Sequence, residues 1–223
     1  MKNANGETKK YGIIVVDDHP LFRKGVVQML IQEPDLEVRA EAENSPTALD
    51  LMRRTPVDLA IVDIGLHGSA NGIELTKSIK AEHENLPVLV LSMHDETLYA
   101  DRALRAGARG YLMKREALDS VITAVRTVLS GEIYLSAAMA KRMIAEHVGG
   151  GASGKSAVDK LTDRELEVLQ LIGEGTEVRD IAEKLHISAK TVEAHRGHIK
   201  EKLNLNNARE VARFAVQWVE QQQ

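Results

Sequence analysis

Three aspartates, a serine and a lysine stand at the ends of short apolar runs that are far apart in the sequence. Asp17 and Asp18 follow IIVV, Asp63 ends IVD, Ser92 ends VLVLS and Lys114 ends YLMK. Carboxylates next to buried strands are costly unless they are paired or bound to a metal. Two carboxylates about 4 Å apart repel each other by about 4 kcal/mol at an effective dielectric constant near 20, so three together require a cation.

The available ligands at such a site are oxygens. The chain has no cysteine, and His19 is the only histidine beside the first aspartates. Oxygen ligands favour Mg²⁺. A carboxylate beside Mg²⁺ and an ammonium group is arranged to attack phosphorus, because the metal and Lys114 would neutralise the phosphoryl oxygens while Ser92 hydrogen-bonds one of them. The residues therefore predict a magnesium site at which an aspartyl phosphate forms.

Each of these residues also has a simpler interpretation when it is taken alone. Asp17 and Asp18 precede a proline and could cap a helix, and Asp63 could begin a turn. A serine at a strand end or a lysine before a helix needs no function. Their joint occurrence at four strand ends is what favours a site over capping preferences.

The part of the chain that carries these residues alternates two periods. Short runs rich in β-branched residues are separated by longer segments with helical spacing, which predicts a parallel sheet covered by helices on both faces. In such sheets, ligands bind at the carboxyl ends of the strands. The five predicted strands are Gly12–Val16, Leu36–Ala42, Leu59–Val62, Val88–Leu91 and Gly110–Leu112.

A glycine-rich stretch, VGGGASGKSAV at 148–158, follows a predicted helix at about Ala137–His147 and indicates a flexible linker. Beyond it the sequence has no strand signal. Thr162 and Glu165 have the spacing of a capping box, and Ser188 precedes a further helix. Four helices, with the middle two joined by a short turn, predict a helix-turn-helix module.

The motifs VVDDHP, IVDIGL, LVLSMHD and GYLMK resemble those of receiver domains of two-component response regulators, over about residues 11 to 130. The resemblance implies a flavodoxin-like fold in which Asp63 accepts a phosphoryl group from a histidine kinase and Lys114 contacts that group. It further implies that Ser92 and Tyr111 form a switch pair that moves on phosphorylation. The residues that it places around Mg²⁺ are Asp17, Asp18, Asp63 and, through its carbonyl, Gly65.

One loop departs from the receiver pattern. Receivers commonly have a proline four residues after the phosphoacceptor and a glycine four residues after that. In IVDIGLHGSANGIEL, His67 replaces the proline and Gly72 comes one residue late. We expect a longer loop beside the site, with an effect on the lifetime of the phosphorylated state.

The stretch from Leu161 to Asn207 resembles the LuxR-type helix-turn-helix, and the whole chain resembles a response regulator of the NarL/FixJ type. The outer face of the second helix carries small and basic residues, which suits a DNA major groove. His195 follows the family pattern, and we expect it to pack or to form a hydrogen bond. We expect Glu193, Ala194, Arg196 and Gly197 near base edges, and Lys190, Thr191, His198 and Lys202 on phosphates.

Charge argues against tight DNA binding by a single copy. From Val158 to Gln223 there are ten Lys and Arg against twelve Asp and Glu, and Glu177 stands where the family often has a residue that meets the DNA backbone. We therefore expect a homodimer on inverted repeats, with the last helix as the dimer contact. The alternative is that Phe214 and Trp218 only complete the domain core. The apolar residues of that helix are Val211, Ala212, Phe214, Ala215 and Trp218.

The predicted organisation is a receiver domain at 11–131, a connecting helix and linker at 132–158, and a helix-turn-helix domain at 159–223. The first apolar run is too short for a signal peptide, and no stretch reaches the roughly 20 apolar residues of a membrane span. We therefore expect a cytoplasmic protein without a membrane partner.

The predicted function is a phosphorylation-dependent, DNA-binding transcriptional regulator with a sensor histidine kinase and promoter DNA as partners. It would catalyse only its own phosphorylation and dephosphorylation. Three alternatives stay open: a receiver that acts without phosphorylation, a protein–protein adaptor, and a metal-dependent phosphohydrolase. The last of these offers no use for the helix-turn-helix.

Overall fold

The computed structural model describes residues 10–66, 71–93, 96–148 and 157–221. The chain divides into two compact units, Met1–Ile144 and Ala145–Gln223. The glycine-rich part of the predicted linker, 149–156, and His67 lie outside the described residues. Within the described ranges, every helix is too short or too polar to cross a membrane.

The first unit is built on a parallel sheet of five strands in the order β2-β1-β3-β4-β5. All five predicted strands are confirmed, each to within a residue at either end. The central strands carry β-branched and aliphatic side chains that are buried on both faces, as expected when helices cover both sides of a sheet. The strands are β1 (Tyr11–Val16), β2 (Leu36–Ala42), β3 (Leu59–Asp63), β4 (Val88–Ser92) and β5 (Gly110–Met113).

Helices connect the strands and then lead out of the sheet. Two of them begin at asparagine caps, since Asn44 accepts a hydrogen bond from the amide of Thr47 and Asn71 accepts from the amides of Ile73 and Glu74. A short 3₁₀ helix at Lys114–Glu116, which the sequence did not predict, joins β5 to the next helix. The helices are α1 (Pro20–Ile31), α2 (Ser45–Arg54), α3 (Gly72–Glu82), α4 (Glu96–Arg105), α5 (Ala117–Leu129) and α6 (Ala137–Val148).

The register of the sheet brings the polar strand ends to one edge. Val16 pairs with Val62, Asp63 with Leu91, and Ser92 with Met113. The residues that follow these strands therefore lie next to one another along the same edge of the sheet. This is the geometric reason why residues almost a hundred positions apart can form one site.

The segment after α5 returns to the sheet. Tyr134 forms an isolated parallel bridge with Gly110 at the outer side of β5. The amide of Tyr111 donates to the carbonyl of Tyr134 at 2.9 Å, and the amide of Tyr134 donates to the carbonyl of Arg109 at 3.0 Å. The sequence gave no signal for this bridge, because one paired residue creates no periodic pattern.

The second unit is helical in its described residues, and the four predicted helices are confirmed. Thr162 and Glu165 form the predicted capping box. Ser188 caps the third helix of this unit by accepting from the amide of Thr191 at 3.0 Å. After a 3₁₀ turn at Ala157–Lys160, the helices are α7 (Asp163–Gly173), α8 (Val178–Lys184), α9 (Ala189–Lys202) and α10 (Ala208–Glu220).

The apolar side of α10 belongs to the core of its own domain. Val211 is 1% exposed, Ala215 is 0% exposed and Trp218 is 8% exposed. A Cβ atom on Gly173 would lie 2.5 Å from the carbonyl oxygen of Ala215, so glycine permits the end of α7 to approach α10 closely. The expectation that Val211, Ala215 and Trp218 offer surface beyond the needs of the core is wrong.

Candidate phosphoacceptor site and nucleic-acid interface

Lys114 joins two of the predicted aspartates in a buried group. Its Nζ lies 2.8 Å from Asp17 Oδ2 and 2.8 Å from Asp63 Oδ2. All three side chains are at most 3% exposed. The ring of Phe22, from α1, lies beneath the ammonium group with its centroid 4.6 Å from Nζ. Three elements, the end of β1, the end of β3 and the 3₁₀ turn after β5, thus meet at one cation.

Asp18 and His19 complete the acidic cluster on its exposed side. His19 Nδ1 lies 2.6 Å from Asp18 Oδ1 and 3.8 Å from Asp63 Oδ2. The backbone amide of His19 donates to Asp17 Oδ1 at 2.8 Å, which fixes that carboxylate against the start of α1. The sequence assigned no role to His19, although its position directly after the two aspartates was a usable signal.

Burial raises the pKa of Asp63 above its usual value, Lys114 lowers it, and the neighbouring charge of Asp17 raises it again. The backbone amide of Gly65 donates to the Asp63 carboxylate and also favours the charged form. The net direction is upward, with burial as the largest cause. Independently of the pKa, three carboxylates lie around one ammonium group, and this excess of negative charge suits a further cation.

The donor set fits Mg²⁺. Asp17, Asp18, His19 and Asp63 can each offer one ligand atom such that all of these atoms lie within 4.8 Å of one another. Three of the four are carboxylates, and hard oxygen ligands are the ones that Mg²⁺ prefers.

The loop that follows Asp63 depends on Gly72. A Cβ atom at this position would lie 1.9 Å from the carbonyl oxygen of Asp63, and the amide of Gly72 donates to the carbonyl of Ile64 at 2.9 Å. Only glycine permits this approach. Gly72 therefore serves the close packing of α3 against β3 although it comes one residue late. Residues 67–70 of this loop lie outside the described ranges.

The predicted switch pair lies on β4, which pairs with β3, and on the edge strand β5, which pairs with β4. Ser92 is 0% exposed at the end of β4, and Tyr111 is 1% exposed in β5. Tyr111 pairs with Val90, two residues before Ser92. Because paired residues of parallel strands and residues two apart share a face, Tyr111 and Ser92 lie on the same face of the sheet.

Most residues predicted to contact DNA lie on the exposed side of α9. Arg196 departs from this prediction: its side chain is 20% exposed, forms an ion pair with Glu193 at 2.7 Å and lines a groove with Ile172 and Ala212. Gly197 is half-buried. Its neighbours Lys190, Thr191, Glu193, Ala194 and His198 are exposed.

Lys202 is engaged within the domain. Its Nζ lies 2.7 Å from Oε2 of Glu165, which also accepts the amide of Thr162 at 2.7 Å. His198 Nδ1 lies 3.6 Å from the other oxygen, Oε1. Burial raises the pKa of Glu165, but the hydrogen bonds from Lys202 and Thr162 outweigh it, so the pKa is lowered. The sequence did not predict this pair, because residues 165 and 202 are far apart in the chain.

His195 is half-buried beside the same glutamate. Burial and the nearby charge of Arg164 lower its pKa, which favours the neutral ring. Glu165, His195 and His198 can also bring three ligand atoms within 4.8 Å of one another. The capping box and the Lys202 pair already account for the position of Glu165, so this group is explained by the packing of α9 on α7.

Each of the two units matches a known protein family. Residues 13–126 match the response regulator receiver domain. The chain is a response regulator. Residues 159–215 match the luxR family of bacterial regulatory proteins. This response regulator therefore combines the receiver fold with a DNA-binding helix-turn-helix, as the motifs predicted.

Relatives share this organisation over nearly the whole response regulator. Transcriptional regulatory protein DegU of Brevibacillus brevis is 35% identical over 219 residues, which cover 92% of each chain. Oxygen regulatory protein NreC of Staphylococcus carnosus is 35% identical over 92% of this chain and 96% of its own. RcsB from Salmonella enterica serovar Typhimurium, solved on promoter P1flhDC with the phosphomimetic BeF3-, has a TM-score of 0.61 and 26% identity, covering 93% of this chain and 98% of its own.

Proposed function

We propose that this response regulator accepts a phosphoryl group on Asp63 from a sensor histidine kinase, and that the modification changes its binding to promoter DNA. The observation that supports Asp63 most strongly is its shared cation. The only ammonium group within 3 Å of Asp63 in the described residues, that of Lys114, lies 2.8 Å from Oδ2 and is equally close to Asp17. Asp63 thus combines a nucleophilic oxygen, a neighbouring cation and an excess of negative charge.

The side chains of the site have separable tasks in this proposal. An oxygen of Asp63 forms a bond to phosphorus while the bond from phosphorus to the kinase histidine nitrogen breaks, and the electron pair stays on nitrogen. Lys114 then faces a phosphoryl oxygen and holds it by charge. Asp17, Asp18 and Asp63, with the carbonyl of Gly65, would hold Mg²⁺, which when bound supplies positive charge to the phosphoryl oxygens.

The output side of the proposal rests on the exposed residues of α9. Lys190, Thr191, Glu193 and Ala194 are exposed on the first turns of the helix, where recognition helices contact DNA. In this proposal Glu193, Ala194 and Gly197 contact the edges of bases. Lys190, Thr191 and His198 contact phosphates of the DNA backbone. The sequence also assigned Arg196 and Lys202 to DNA, and both would first have to leave their glutamate partners.

A homodimer on inverted repeats remains part of the proposal, because the helix-turn-helix region is acidic overall. The buried residues of α10 are unsuitable for that contact. The outward side of this helix offers Val216, which is 39% exposed, with the half-buried Ala212 and Val219 as its neighbours on the helix surface. We therefore assign the dimer contact to that side. A Val216→Glu substitution tests it without entering the domain core, whereas Val211→Glu would disrupt the core.

The domains in this proposal keep the predicted limits: a receiver at 11–131, a connection at 132–158 and an output domain at 159–223. The experiment measures the affinity for a duplex selected from random sequences, with and without acetyl phosphate and Mg²⁺. We expect the phosphorylated wild type to bind at least about fivefold differently, the lower end of ordinary coupling between sites. Asp63→Asn should show no response.

Three results would redirect the assignment. An equal response in Asp63→Asn would mean that another residue is modified. High-affinity binding that is unaffected by phosphorylation of the wild type would support the regulator that acts without phosphorylation. Failure to select any duplex in either state would support the protein–protein adaptor.

A further inference from the structure

The chain leaves the receiver sheet through a short segment that is held at two points. We define the clamp segment as Glu132–Ser136, between α5 and α6. Its first attachment is to β5, through the two backbone hydrogen bonds of Tyr134 with Tyr111 and Arg109, at 2.9 and 3.0 Å. Its second attachment is to α4, where the carboxylate of Glu96 accepts the amide of Ser136 at 3.0 Å and also its hydroxyl.

The first attachment is made by the strand that carries Tyr111, and the second by the helix that follows the strand ending at Ser92. Tyr111 contributes its amide to the first attachment and its side chain to the switch. Glu96 is the first residue of α4 and follows Ser92 by four positions. A displacement of Tyr111 therefore acts directly on the first anchor, and Ser92 lies close in sequence to the second.

The clamp segment also begins the helix that leads to the output domain. Ser136 Oγ accepts from the amide of Met139 at 3.1 Å, and the carbonyl of Ser136 accepts from the amide of Ala140 at 3.0 Å. Met139 is 4% exposed, so the first turn of α6 is packed. The same serine thus binds the α4 carboxylate and caps α6.

We propose that the clamp segment transmits the state of the switch pair to α6, and that phosphorylation loosens the contact between Glu96 and Ser136. The proposal rests on the proposed function of Asp63. The physical reason is that the anchors are on two different elements. Hydrogen bonds weaken steeply once donor and acceptor separate beyond about 3.5 Å, so a shift of α4 relative to β5 cannot leave both attachments intact.

The test uses full-length wild type, Glu96→Ala, Ser136→Ala and the control Asp101→Ala. Asp101 lies on the same helix and forms an exposed ion pair with Arg105 at 2.7 Å. Phosphoryl incorporation from acetyl phosphate is measured first, then DNA affinity in both states. We expect normal incorporation in all four proteins. The ratio of the two affinities should fall at least about fivefold in Glu96→Ala and Ser136→Ala and stay unchanged in Asp101→Ala.

Amide hydrogen exchange separates the clamp from the phosphorylation chemistry. Without phosphorylation, Glu96→Ala should speed exchange at the amides of Tyr134 and Ser136, and phosphorylation should do the same in the wild type. Unchanged exchange in Glu96→Ala overturns the clamp, whatever happens at Asp63. Normal incorporation with a wild-type affinity ratio in both variants also overturns it. Absence of incorporation in the wild type would instead overturn the proposed function.

Discussion

Asp63 in the receiver and Glu165 in the helix-turn-helix domain are both buried carboxylates, 2% and 3% exposed, yet their pKa values are displaced in opposite directions. Burial and the charge of Asp17 keep the pKa of Asp63 raised in spite of Lys114. The pKa of Glu165 is lowered in spite of burial, because Lys202 and Thr162 donate to it.

Asp63 lies deeper in its domain than Glu165, and the two groups also differ in the charges that surround them. Lys114 is shared between Asp63 and Asp17, with Asp18 nearby, so negative charge is in excess. Glu165 has its own ammonium group and completes a capping box. A carboxylate that shares its ammonium group with other carboxylates attracts a cation or an electrophile, whereas one with its own ammonium group stabilises the fold. Burial alone therefore does not identify a reactive carboxylate.

The largest expected effect comes from removing the shared cation. Lys114→Met leaves Asp17 and Asp63 buried without their ammonium group, and loss of one partner of a buried ion pair costs about 3–5 kcal/mol. We expect this loss in the receiver unfolding transition in urea without Mg²⁺, and a partial recovery with Mg²⁺. The variant should still bind the metal and lose the phosphorylation-dependent response. The control is Lys200→Met, which replaces a half-buried lysine of α9 in the other domain. It should leave the receiver transition unchanged.

Neutral substitutions at the two carboxylates should shift stability with opposite signs. Glu165→Gln weakens the contacts with Lys202 and Thr162, and we expect a loss of about 1–3 kcal/mol. Asp63→Asn removes a charge that the fold disfavours, so the free energy of unfolding should rise in metal-free solution. Urea titrations of the two variants measure both shifts. A loss of stability in both would remove the contrast between the sites.

The pairing of Lys202 predicts unequal roles for two lysines of α9. Lys190 is exposed, and each phosphate contact contributes a slope of about −0.9 to log K against log salt. Lys190→Ala should reduce the slope by about that amount per domain. Lys202→Ala should change it by less, because Glu165 already holds Lys202. Salt titrations of DNA binding compare the two, and a larger effect at Lys202 would show that its ion pair opens on DNA.

A smaller effect concerns pH. Because the folded pKa of Glu165 lies below its ordinary value of 4.5, its contribution to stability is complete above pH 4.5 and is lost as the pH falls through the folded value. The stability difference between wild type and Glu165→Gln should therefore shrink in acid. For Asp63 the sign is reversed: its penalty is present at neutral pH and is relieved on acidification. A difference that grows below pH 4.5 would contradict the assignment for Glu165.

The sequence predicted the strands, the capping box and the convergence of the acidic residues, since all of these follow from periodicity and strand direction. The prediction that Arg196 faces outwards, towards DNA, is not borne out by its largely buried side chain. Arg196 lies four residues after Val192 and three before Ile199, both 0% exposed, so helical spacing already placed it towards the core. Its charge favoured the opposite prediction. The contacts of Lys202 and Tyr134 depend on tertiary packing, which local patterns do not contain.

The carboxylate that shares its ammonium group with a second carboxylate, Asp63, is the one that we expect to react. The most direct measurement is the intact mass of wild type, Asp63→Asn and Glu165→Gln after treatment with acetyl phosphate and Mg²⁺. We expect one phosphoryl group on the wild type and on Glu165→Gln, and none on Asp63→Asn. Equal phosphorylation of Asp63→Asn, or its loss in Glu165→Gln with an intact receiver, would contradict the account.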